Sequence, residues 1–238
     1  MNEPKNKIPE GVAADSVPKA VVSRLSLYLR ELQHLRRDGH ETTSSTQLGR
    51  MLGLTDAQVR KDLAYFGQFG YPGIGYRCDE LISAIKRILG THQEWPVALI
   101  GCGNLGRALL GYRGFGHQGF KVVAAFDNDV EKVGAQIEGI PVFHLDSLNE
   151  KVRELSIRLA IVAVPANSAQ GVAERLVAAG IEGVLNFAPV TLGCAKHLPT
   201  VGVDLAMELE QLAFNVANRA APTASDEGAA ESDMPTEA

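Results

Sequence analysis

Residues 97–106 read Val97-Ala98-Leu99-Ile100-Gly101-Cys102-Gly103-Asn104-Leu105-Gly106, and their pattern decides the fold. Four apolar residues with strand character run into Gly101, and a helix-forming segment, NLGRALLGY, opens at Asn104. In a strand–turn–helix of this kind each glycine has its own task. Gly101 permits the tight turn, Gly103 lets the backbone approach a pyrophosphate, and Gly106 lets helix and strand pack closely. The pyrophosphate then lies at the helix N-terminus, where unpaired N–H groups and the helix dipole favour negative charge. Twenty-one residues beyond Gly106, the run KVVAAFD ends on Asp127. An acid there accepts hydrogen bonds from the adenosine ribose and repels the extra phosphate of NADP. Strand, glycines and acid together predict an NAD(H) site; the plainer alternative is a Gly-rich turn followed by an Asp that merely caps the next segment.

Downstream, LAIVAVP and GVLNFAP are two more short β-branched runs closed by proline, with the helical segment SAQGVAERLVAAG between them. Strands alternating with helices predict an α/β fold, a parallel sheet covered on both faces, over residues 91–200. After Pro189 little remains except VDLAMELEQLAFNVANR, an apolar-rich helix over about 201–220. A hydride-transfer enzyme needs a substrate domain with a proton donor beside the nicotinamide. The chain has no room for one, and His144 and His197 are expected in surface loops, so no catalytic residue is assigned.

Upstream, residues 17–90 read as helical. Val21, Leu25, Tyr28, Leu29, Leu32 and Leu35 recur at helical spacing up to Asp38-Gly39, where Gly suits a C-cap. Two short helices follow. The first starts after Thr43 or Ser44 and turns its apolar face, Leu48, Met51 and Leu52, inward; the second, DAQVRKDLAYF, is capped by Thr55 or Asp56 and buries Val59, Leu63 and Phe66. GQFGYPGIGY suits a tight hairpin or wing, and DELISAIKRILG a last helix. The pair of short helices matches a helix-turn-helix, whose second helix enters the major groove of DNA. Gln58, Arg60 and Lys61 lie opposite the apolar face, and with Ser44, Ser45, Tyr65 and Tyr71 they are the candidate DNA-contacting residues. The alternative is a solvated charged face.

Charge is distributed to suit. The net charge of −5 hides a basic stretch, residues 17–90, with 11 Lys+Arg against 7 Asp+Glu; residues 91–238 hold 10 against 18. Cationic side chains thus concentrate where phosphates are expected. The apolar fraction of 45% is ordinary for a globular protein. No stretch approaches the roughly 20 apolar residues of a membrane span, and no apolar signal core precedes the first helix. Three cysteines (Cys78, Cys102, Cys194) without CxxC spacing argue against a disulfide framework or zinc site and for a reducing compartment, the cytoplasm. Residues 1–16 and 221–238 read as disordered tails, the second acidic.

The strings SRLSLYLRELQHL, VRKDLAYFGQFGYPGIGY, IGCGNLGRALLGYRGFG, FDNDVEKVG and VLNFAPV together closely resemble the Rex family of redox-sensing transcriptional repressors, over about residues 18–218. The resemblance implies a winged-helix domain on a Rossmann domain, and a homodimer that exchanges its C-terminal helices. It implies repression of respiratory and fermentative genes from palindromic double-stranded operators, with release when NADH rises and NAD+ as the competing ligand. It places Gly101, Cys102, Gly103, Asn104, Leu105, Gly106 and Asp127 at the dinucleotide, with Pro165 and Asn186 following the fourth and fifth strands towards its nicotinamide end. Tyr112 is placed both at the cofactor and in the inter-domain switch, and Arg30 and Asp204 match a pair linked to the DNA-bound or NADH-bound state. Cys102 is open to two readings, an oxidant sensor or a small buried side chain. The rival classes are an NAD-dependent oxidoreductase or CoA-ligase-like subunit, and a binding module whose N-terminal region only dimerises.

Overall fold

The computed structural model describes residues 17–193 and 198–218. Both predicted tails, Cys194 and His197 lie outside these residues. The N-terminal part runs α1 (Lys19–Arg37), β1 (Thr42–Thr43), α2 (Ser45–Leu52), α3 (Asp56–Ala64), β2 (Tyr76–Arg77) and α4 (Cys78–Ile88). The six apolar positions read from the spacing of α1 are all buried, in one core with Leu48, Val59, Leu63, Phe66, Leu81 and Ile85. Ser44 caps α2 through Gln47 N–H and Thr55 caps α3 through Gln58 N–H, which resolves both cap alternatives. The turn between α2 and α3 is tight: a Cβ on Gly49 would stand 2.6 Å from Leu54 O. Met51 departs from expectation. It is 42% exposed, because α2 has only two turns and the core reaches one side of them. Residues 67–75 form the loop between α3 and β2, and β2 pairs antiparallel with β1, giving a short-stranded wing.

The C-terminal part is a seven-stranded sheet. Its strands are β3 (Trp95–Ile100), β4 (Phe120–Asp127), β5 (Gln136–Ile137), β6 (Ile140–His144), β7 (Leu159–Val162), β8 (Gly183–Asn186) and β9 (Thr200–Gly202), ordered β5-β6-β4-β3-β7-β8-β9. All neighbours are parallel except the β5–β6 hairpin. Without the edge strand β5 the order is the doubly wound one, with β3 first and the direction of winding reversed between β3 and β7. Its helices are α5 (Asn104–Leu110), α6 (Gly114–His117), α7 (Leu148–Glu154) and α8 (Ala166–Ala179). α7 and α8 close one face over Ile100, Phe126, Val162 and Val184. The other face is covered by α5 and α6 only in part, contrary to the expected cover on both faces. An apolar hollow of about 410 Å³ remains there, lined by Phe115, Phe120, Leu159, Ile161, Leu185 and Val201 among others. The last helix, α9 (Leu205–Ala217), shows Leu205, Met207, Leu209, Leu212, Phe214 and Val216 each more than half exposed.

Candidate dinucleotide site and nucleic-acid interface

The reversal between β3 and β7 leaves a crevice beyond their carboxyl ends, and the sequence puts the glycine loop there. Gly101 has φ +97°, a left-handed conformation, and a Cβ on it would stand 2.5 Å from Ala163 O at the end of β7. A Cβ on Gly106 would overlap Gly101 O, so helix and loop touch backbone to backbone. Above Gly103 the space is open. Each glycine thus meets the requirement read from the motif. No side chain caps the start of α5, and the first N–H groups of a helix have no partner within it.

Asp127 closes the crevice from β4. Its Oδ2 accepts the Cys102 N–H at 2.7 Å, and its Oδ1 accepts the Asp129 N–H at 2.9 Å. Lys132, a residue that the sequence reading overlooked, places Nζ 3.3 Å from Asp127 Oδ2 and 3.1 Å from Asp129 Oδ2. Burial opposes ionisation of Asp127, but the N–H groups of Asp129 and Cys102 and the Lys132 ammonium outweigh it, holding the carboxyl below the usual range. Gly101, Gly103, Asp127, Lys132 and Pro165 share one cleft of about 310 Å³, and Pro165 enters it as the N-cap of α8. Cys102 is fully buried, and burial together with Asp127 pushes its thiol up to about 11. Such a group is a protonated packing residue rather than a reactive thiolate.

Other predicted residues lie elsewhere. Asn186 is buried, and its amide is consumed by its own loop: Nδ2 donates to Ala188 O and Val190 O, and Oδ1 accepts the Ala188 N–H. It borders a separate hollow with Asp204 and Met207. Tyr112 is 59% exposed, set edge-on to Phe115 at 5.0 Å and folded over Gly114, where a Cβ would collide with its ring. Arg30 pairs with the adjacent Glu31, while Asp204 caps α9 through the N–H groups of Ala206 and Met207. Within one chain, therefore, Arg30 and Asp204 form no bond among the described residues. His144 ends β6 in register with Asp127 rather than lying in a loop, and its Nδ1 accepts the Asp146 N–H.

On the N-terminal part, Arg60 and Lys61 stand exposed on α3. Arg60 reaches Asp56 Oδ2 at 2.7 Å and Ser45 Oγ at 3.1 Å, linking the two helices of the motif. Tyr65 is exposed; Tyr71 is also exposed, hydrogen-bonded to Glu80 and stacked beneath Arg77. Ser44 lies at the exposed start of α2. Gln58 differs. Its Nε2 turns to Asp62 Oδ1 at 2.7 Å instead of outward. Asp62 is fully buried and also accepts from Arg24 Nε at 2.5 Å, Arg24 Nη2 at 2.9 Å and Tyr28 Oη at 2.7 Å. This carboxylate ties α3 to α1. The sequence carries only a faint trace of it, a polar residue at a position of α3 adjacent to the apolar stripe.

Comparison with known proteins bears on both sites. Residues 92–190 match the family model of a CoA binding domain, and residues 16–64 that of the N-terminus of DNA-binding proteins. The redox-sensing transcriptional repressor Rex of Carboxydothermus hydrogenoformans is 48% identical, over 84% of this chain and 96% of the relative. The chain belongs to the Rex family. Members of that family are redox-sensing transcriptional repressors, not enzymes. A crystal structure of the Rex-family repressor RSP with β-NAD+ and operator DNA matches at TM-score 0.80 and 32% identity, covering 84% of this chain and 92% of that one. RSP in complex with β-NADH matches at TM-score 0.76 and 31% identity, covering 84% and 94%. The coverage by Rex proteins spans the winged helix and the sheet together, so the family assignment embraces both candidate sites.

Proposed function

We propose that this protein is an NADH-responsive repressor: residues 17–90 bind operator DNA, and residues 91–200 bind NADH, with NAD+ as the competing ligand. The observation that carries this reading is the glycine loop closed by Asp127, on the same chain as a helix-turn-helix with exposed Arg60 and Lys61. Gly101, Cys102, Gly103, Asn104, Leu105, Gly106 and Asp127 hold the adenosine and pyrophosphate; the β7 and β8 ends, with Pro165 and Asn186, lie towards the nicotinamide. NADH and NAD+ differ in charge and planarity at that ring, so the contacts that discriminate them belong at that end. A ligand shifts a two-state protein only by its differential affinity for the two states.

The working form is a homodimer in the cytoplasm that exchanges its C-terminal helix, which is α9 (Leu205–Ala217) rather than the whole of the expected span 201–220, since Thr200–Gly202 form β9. Support comes from α9, whose apolar residues have no cover in their own chain, and from the uncovered apolar sheet face. Isolated exposed apolar residues are ordinary, but six on one thirteen-residue helix are the pattern of an interface. In that dimer Arg30 and Asp204 meet across subunits and Tyr112 takes part in the switch. No described helix is long and apolar enough to cross a membrane. The genes under control are those of respiration and fermentative NAD+ regeneration.

One observation favours a second ligand, the match of residues 92–190 to a CoA binding domain. CoA carries a phosphate on its adenosine ribose, which Asp127 disfavours. Titration of the full chain with NADH and with CoA, followed by nucleotide fluorescence and calorimetry, separates the two. Tight NADH binding that CoA fails to displace supports the proposal; CoA binding tighter than NADH refutes it.

A further inference from the structure

Lys132 is the one basic side chain in the cleft that holds the glycine loop and Asp127 among the described residues. Its position is fixed by the backbone: the turn after β4 is closed by Asp127 Oδ1 accepting Asp129 N–H, Asp129 Oδ1 accepting Glu131 N–H, and Lys132 N–H donating to Asp129 O. The Lys132 side chain is 25% exposed, and its ammonium lies between two carboxylates, within hydrogen-bonding reach of both. A carboxylate offers about four lone pairs. On Asp127 the Cys102 N–H, the Asp129 N–H and Lys132 use three, which leaves one acceptor for a ribose hydroxyl.

We infer that Lys132 determines how far this site discriminates against dinucleotides that carry a phosphate on the adenosine ribose. Its ammonium is a phosphate-binding cation occupied by Asp127 and Asp129. Two carboxylates against one ammonium leave this end of the cleft with a net negative charge, and a phosphate brings almost two more negative charges to the same place. Asp127 therefore rejects the phosphate in two ways, by its own charge and by occupying the cation that would receive it. Lys132 in turn mitigates the rejection, so whatever affinity the protein has for NADPH runs through its ammonium. The inference rests on the proposal that the dinucleotide binds in this cleft, and it goes beyond that proposal by assigning the discrimination to a pair of residues rather than to Asp127 alone.

The test is a double-mutant cycle on the full chain, reading the ratio of the NADPH and NADH dissociation constants by nucleotide fluorescence. Lys132→Met raises the ratio on the order of tenfold, because the cleft loses its one positive charge and keeps two carboxylates facing the phosphate. Asp127→Asn lowers it by at least a similar factor, and that gain disappears in Asp127→Asn with Lys132→Met. Lys132→Arg keeps the ratio near that of the parent, because the cation is retained. An unchanged ratio in Lys132→Met, or a gain from Asp127→Asn that survives without Lys132, overturns the inference. A parent protein that binds neither dinucleotide overturns the cofactor proposal itself, a different and separately visible failure.

Discussion

Removing the Asp62 carboxylate should strongly destabilise the N-terminal part while leaving the nucleotide site intact. Asp62 is fully buried and accepts four hydrogen bonds, two from Arg24 and one each from Tyr28 and Gln58. In Asp62→Ala the Arg24 guanidinium loses its partner. Breaking a buried ion pair costs about 3–5 kcal/mol, and the lower end applies because the Arg24 side chain is 24% exposed. The buried Tyr28 hydroxyl loses its acceptor as well, worth about 1–3 kcal/mol by itself and not fully additive. The expected loss is about 4 kcal/mol, a large fraction of the stability of a small domain, whose total is about 5–15 kcal/mol. Urea unfolding followed by far-UV circular dichroism, with and without NADH, reads the two parts separately: only the transition of the sheet should move with nucleotide. A loss under about 0.5 kcal/mol, the size of a surface substitution, would refute the reasoning. A triple variant, Arg24→Met, Tyr28→Phe, Asp62→Leu, should recover most of the lost stability, since well-packed apolar groups replace buried ion pairs at little cost.

Four further outcomes are expected. Gly106→Ala forces a Cβ into Gly101 O and should abolish NADH binding in a calorimetric titration while the chain remains folded. Arg60→Ala should weaken operator binding by about 1–3 kcal/mol in a fluorescence anisotropy assay, with NADH affinity unchanged. Leu209→Glu with Leu212→Glu on α9 should convert the proposed dimer to monomer in sedimentation velocity, both side chains being exposed in a single chain. The Asp62 carboxyl is held below its usual value: burial raises it, but hydrogen bonds from Arg24, Tyr28 and Gln58 prevail. Its stabilisation is therefore complete above the unfolded value of about 3.9 and lost as pH falls through the lower folded one. Acid unfolding of the N-terminal part should follow that course, and Asp62→Asn should remove this contribution.

What the sequence disclosed follows from how local each constraint is. The glycine loop was fully legible because its requirements lie within six residues: a left-handed turn at Gly101, open space at Gly103 and a backbone contact at Gly106. Helix α1 was legible because one face buries six residues at helical spacing. The β5–β6 hairpin and β9 were not, since strands of two, five and three residues carry too little alternation to announce themselves. Asp62 escaped notice for another reason. Its partner Arg24 is 38 residues away, and a helix read alone presents Asp62 as one more polar position. Gln58 was assigned outward on the same incomplete grounds, and the buried carboxylate turns its amide inward. Lys132 stood in plain view in FDNDVEKVG, but only the folded turn after β4 brings its ammonium back to Asp127.

Arg30, Tyr112 and Asp204 show the limit of a single chain. Each is exposed or engaged locally, and the coupling proposed for them would run between two subunits. The apolar hollow on the sheet and the exposed apolar residues of α9 are two uncovered surfaces in the same chain, and the proposed exchange between two copies would cover both.

The most direct test of the central claim is the affinity of the full chain for a palindromic operator, measured by anisotropy while NADH is titrated against a fixed NAD+ background. The account predicts that NADH dissociates the complex at concentrations where added NAD+ leaves it bound, and that Asp127→Ala blunts this response without abolishing DNA binding. An operator complex indifferent to both nucleotides, or released equally by each, would contradict it.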